Sequence, residues 1–226
     1  MEDYILLFNK LYHEVVIREN TRLSDDCNIE LRKYHEMLIC DVDNEAPEYY
    51  YQISKDEGGY YTAFRIGRGH YLIYRPSFPV LAAAALFIYI LRTKTFQNRR
   101  LDSEKLTIER VRQVIAANDI ASARQIMTDS VGVENISFDK PDYDKISVIP
   151  ISDNKIDIYY HNHTILFGSD FNKPDISRGY YFALQCCFDL FYVRKILSHI
   201  VKIFPEIQDP EKSELEYLFL TGTTEV

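Results

Sequence analysis

The longest apolar run of the chain, Phe78 to Leu91, is 14 residues without a charge. A segment apolar nearly all round needs neighbours on every side. It lies inside a stretch, Tyr49 to Asn98, around which the rest of the chain is organised. Three short Tyr-rich strand candidates come first: 49–54, 60–66 and 70–75. Gly58-Gly59 and Gly67-Arg68-Gly69 punctuate them, as tight reversals between paired strands require. Pro76-Ser77-Phe78-Pro79 stops the sheet, and Val80 to Asn98 reads as a central helix. Its Ala82 to Ala85 permit close backbone approach. Its basic end, with Arg92, Lys94, Arg99 and Arg100, suits a helix C-terminus.

Around this centre the pattern is mixed. Glu2 to Ile17 has helical spacing, with Glu2 and Asp3 placed well for the dipole. Asn20 to Asn28 reads as a loop, and Glu36 to Val42 as a first strand. Asp102-Ser103-Glu104 opens a helix, Asn118-Asp119 serve as a break and cap, and a further short helix covers 120–128. Val131 to Asp144 reads as a polar loop. Strands follow over 146–151, 156–162 and 164–167, with a turn at Ser152 to Lys155. Asp175 or Ser177 then caps a helix through Ile203, which Pro205 and Pro210 end, leaving a short helical tail over 213–220. The expected fold is α+β, a Tyr-rich antiparallel meander packed by long helices. The order of strands, Pro stop and long helix occurs twice, which suggests a degenerate duplication. The expected layout is a single domain, 1–226, with halves at about 1–100 and 131–226 joined by helices at 103–129. In the meander, alternation puts Tyr60, Thr62, Phe64 and Ile66 on one face and Tyr61, Ala63 and Arg65 on the other. That suggests helices over one side and an amphipathic, Tyr-lined second face.

Charge is unevenly spread. Residues 1–60 hold 14 acids against 6 bases, residues 61–130 hold 5 against 11, and the last 24 residues hold 6 against 1. Acidic ends argue against nucleic acid, whose affinity rests on phosphate neutralisation, and suit a basic partner. The same charge also serves solubility, and the sequence leaves both uses open. The acidic start, Met1-Glu2-Asp3-Tyr4, lacks the basic region of a signal peptide. The apolar run is short of the roughly 20 residues that span a bilayer. No membrane association and a cytoplasmic location are therefore expected.

Chemistry-bearing residues have no recognisable setting: there is no GxSxG, P-loop or GxGxxG. His161-Asn162-His163 on a strand would put both imidazoles on one face, with Asp157 on the same side, but no third ligand has convincing spacing. Arg65, Arg68, His70 and Arg75 surround the meander. They could hold a small anionic ligand or serve an enzyme; they could also pair with Asp43, Asp56 and Glu57. Arg110, Arg112 and Arg124 read as a solvated basic stripe. No cofactor or metal is expected, and no catalytic residue is assigned.

A small acidic chain with a Tyr-rich meander, Glu48 to Arg75, packed by long helices and without a catalytic motif resembles the immunity proteins of bacterial polymorphic-toxin systems. The resemblance implies a stoichiometric, non-catalytic inhibitor that binds a toxin domain and covers its active site. Acidic steering and rigid Tyr contact area would carry such an interface. The candidates are Asp41, Asp43, Glu45, Glu48, Tyr49, Tyr50, Asp56 and Glu57.

The four cysteines, Cys27, Cys40, Cys186 and Cys187, show no CxxC or zinc spacing, which fits reduced thiols in a reducing compartment. All four are expected to titrate as free thiols in protein denatured without reductant. A count of two or fewer would contradict the cytoplasmic assignment.

Overall fold

The computed structural model describes residues 2–16, 30–34, 37–41, 50–66, 70–97, 101–161, 163–164 and 175–222. The chain divides into two compact units, Met1–Arg99 with Lys195–Glu225, and Arg100–Arg194. The architecture is α+β.

In the first unit, α1 (Glu2–Leu11) runs into a π-helical turn, Tyr12–Val16. Five strands follow: β1 (Glu30–Tyr34), β2 (Met37–Asp41), β3 (Tyr50–Lys55), β4 (Tyr61–Ile66) and β5 (His70–Tyr74). They pair antiparallel in chain order. β2 is the strand expected over 36–42. The hairpin partner β1 was not expected, because Glu30, Arg32 and Lys33 break its apolar pattern. An edge strand tolerates such charges, since it has a neighbour on one side only.

The helix α2 (Pro79–Gln97) carries the core of this unit. Pro79 opens it where a missing N–H costs nothing. Every residue from Leu81 to Leu91 is buried. α1, α6 (Asp209–Thr221), β4 and β5 all pack on it, and Phe8 meets Phe87 edge-to-face at 5.5 Å. The apolar run thus has neighbours from both helical and sheet layers, as its lack of a polar stripe demands.

The meander shows one face to α2 and one away from it. β3 and β4 are in register, with Tyr51 opposite Arg65 and Ile53 opposite Ala63, and these positions face α2. Tyr51, Ile53 and Ala63 are buried. Strict alternation then fails at β5, where Ala63 pairs with Tyr74 and Phe64 with Leu72. Ile73 is the extra residue of this bulge and is fully buried. Most of the tyrosines accordingly lie on the α2 side. The second face carries Tyr50, Gln52, Ser54, Phe64, Ile66 and Leu72, all part-buried, together with Thr62, which is buried.

Pro210 does not end a helix. It stands in the first turn of α6, where Gln208 donates its amide N–H to the Glu211 carboxylate at 3.1 Å. α6 is fastened to β5 by the Tyr74 hydroxyl, which donates to Glu214. At its far end Arg92 of α2 donates to the Leu220 carbonyl at 3.5 Å. Gly222 ends α6 at φ 83°, and a Cβ there would meet the Arg92 guanidinium at 2.9 Å. The left-handed turn is what favours glycine here, since the Arg92 guanidinium is the end of a flexible side chain and can shift.

The second unit starts with α3 (Asp102–Ala116) and α4 (Ile120–Val131), which pack on each other. Asp119 caps α4 as the sequence suggests, its carboxylate accepting from Ser122 N at 3.0 Å. A four-stranded sheet follows: β6 (Ile136–Phe138), β7 (Ile146–Ser152), β8 (Lys155–Tyr160) and β9 (His163–Thr164). β6 lies inside the expected polar loop, and it pairs parallel to β7. The two-residue turn Asp153-Asn154 joins β7 to β8. α5 (Ile176–Ile203) follows, its residues 176–194 belonging to this unit, with Asp175 accepting from Arg178 N at 2.8 Å as its cap. Strands followed by a long helix do recur in order. The pairings differ, antiparallel throughout in one sheet and parallel at the start of the other.

Among the described residues no helix is long and apolar enough to cross a membrane. Ala84 is fully buried in α2, so Ala84→Leu should overpack the core and cost about 1–3 kcal/mol. An unchanged melting temperature would contradict the central role of α2.

Candidate interaction surface

Asp43, Glu45, Glu48 and Tyr49 lie outside the described residues, as do Arg68 and Cys27. Asp41 ends β2 and pairs with Glu30 across the hairpin; its side chain, like those of Cys40 and His70, is outside the described set. Tyr50 is part-buried in β3, and Asp56 and Glu57 form the β3–β4 turn. Of the eight candidates, Tyr50, Asp56 and Glu57 can therefore be placed in full.

That turn is closed by a dense set of contacts. Asp56 N donates to the Tyr60 carbonyl at 2.9 Å, and Gly59 N to the Asp56 carbonyl at 3.0 Å. Gly59 takes φ 86°, which glycine adopts without a Cβ penalty. The Asp56 carboxylate accepts from Tyr60 N at 3.0 Å. Its other oxygen takes Arg75 Nε at 2.8 Å and Nη2 at 2.5 Å. The same guanidinium lies over the Tyr60 ring, 4.9 Å from its centre. Arg75 holds the Asp56 carboxyl below the ordinary 3.8, with the Tyr60 amide adding to the effect. Glu57 is exposed beside this cage.

Arg65 is also engaged within the chain. Its guanidinium lies 4.6 Å from the Tyr71 ring centre and 5.8 Å from that of Tyr89 in α2. Of the two uses the sequence allows for the arginines of the meander, pairing with the chain's own groups is the one seen at Arg75. These contacts are cation–π and charge-assisted, and they leave the two tyrosines, Tyr60 and Tyr71, about half exposed.

The two histidines do not share a strand face. β8 ends at Tyr160, His161 takes a left-handed φ of 49°, and β9 begins at His163, which pairs back onto Tyr160. His161 is buried, with ring centres at 4.4 Å from Tyr143 and 4.0 Å from Tyr160. Its backbone N–H donates to the Tyr143 carbonyl at 3.3 Å. Asp157 is buried in β8 and accepts from the Tyr159 hydroxyl at 3.0 Å. Among the described residues no group of three or more His, Cys, Asp or Glu could hold a metal ion.

The basic stripe divides. Arg110 is exposed, and Arg112 lies over Tyr181 at 4.3 Å. Arg124 is not part of a solvated face. It binds both oxygens of Asp139 at 2.6 Å and donates to Tyr180 at 2.7 Å, which ties α4 to the β6–β7 loop and to α5. The Asp139 hydrogen bonds raise the Arg124 pKa further. A second tie had no signal in the sequence. Arg194 donates to the buried Asn135 at 2.8 Å, to the Asp144 carbonyl at 2.7 Å and to the Tyr160 hydroxyl at 3.4 Å. Cys186 and Cys187 are buried, unbridged thiols in α5, and burial raises the Cys187 pKa well above its usual value.

No protein-family model, curated protein or solved structure matches this chain.

Removing the guanidinium should release the Asp56 carboxyl. In Arg75→Gln the pKa of Asp56, followed by NMR titration, should rise towards 3.8. A depressed carboxyl contributes stability above its unfolded pKa and loses it as pH falls through the folded value. The variant should therefore lose less stability than the native chain as pH falls through this acid range. An unmoved Asp56 titration would contradict the pairing.

Proposed function

We propose that the chain is a non-catalytic protein-binding inhibitor, of the immunity type, that neutralises a bacterial toxin domain in the cytosol by covering its active site. The observation that carries this reading is the second face of the meander. Gln52, Phe64 and Leu72 form one row across β3, β4 and β5, and Tyr50 and Ile66 form the next. All are part-buried, on the side away from α2. A mixed aromatic, aliphatic and amide surface held on a sheet is chemically suited to a protein partner. The acidic first 60 residues, 14 acids against 6 bases, add long-range attraction to a basic one.

The small-ligand or enzymatic alternative draws less support, because Arg75 is committed to Asp56 and Arg65 lies between its own aromatic rings. Reversing Asp43, Glu45 and Glu48 to Lys should slow association with a basic toxin domain that the native chain neutralises and weaken protection in a toxin co-expression assay. Thermal stability measured on the same variant separates a loss of steering from a loss of fold. Full protection by the reversed chain would remove the acidic steering argument. Loss of a catalytic activity in Arg65→Ala or Arg75→Ala would favour the alternative.

A further inference from the structure

We draw no further inference here: the strongest candidate, the second face of the β3–β5 meander with Tyr50, Gln52, Phe64, Ile66 and Leu72, belongs to the surface already described, and nothing in the structure shows what covers it.

Discussion

The first unit depends on one packing requirement. Eleven consecutive residues of α2, Leu81 to Leu91, are buried, and a helix in that condition has no solvent face to lend. The chain meets the requirement with α1, α6 and the sheet. The alanine run sets how closely they approach, since Ala82 to Ala85 are all buried with no side chain beyond Cβ. Removing apolar surface from water gives roughly 1.5–3 kcal/mol for each large side chain, and Leu86, Phe87, Ile88 and Leu91 are all fully buried. The meander inherits its two-sidedness from this arrangement: one face serves α2, and the other carries a part-buried mixed surface.

Polar ties complement the core in both units. Arg75 and Asp56 close a turn, Arg92 reaches the end of α6, and Arg124 and Arg194 bind loops of the second unit to its helices. Each uses a planar guanidinium, whose fork can satisfy two or three acceptors at once. Several of these acceptors are carbonyls and phenols, so the ties hold backbone geometry as well as charge. This use of arginine within the chain is what weakens a ligand-binding role for the same side chains.

Sequence patterns made the large features legible. The apolar run of α2, the Gly-punctuated strands 50–74 and the Asp119 and Asp175 caps each rest on local chemistry that acts within a few residues. What could not be read was non-local or too short. β6 has three residues, too few for alternation to register, and its partner β7 lies in parallel across a seven-residue connection. β1 is an edge strand whose charges mask its periodicity. The face shared by His161 and His163 fails because one residue in a left-handed turn reverses strand parity. Arg124 looked solvated because its partner Asp139 is fifteen residues away, at a position with positive φ. Tyr60 was assigned to a face of a strand, and the cage that fixes it appears only once β5 has delivered Arg75. Of the acidic candidates, Asp56 is paired with Arg75, and Glu57 is the exposed member of that turn.

Hydrogen exchange of the chain, alone and mixed with a toxin domain that it neutralises in co-expression, tests the central claim most directly. The amides of Leu81 to Leu91 should exchange slowly in both states, because α2 opens only with the unit. Added partner should slow exchange in the β3–β4 turn and along Tyr50 to Ile66, leaving α3 and α4 unchanged. Protection confined to residues 102–131, with the meander unaffected, would contradict the account.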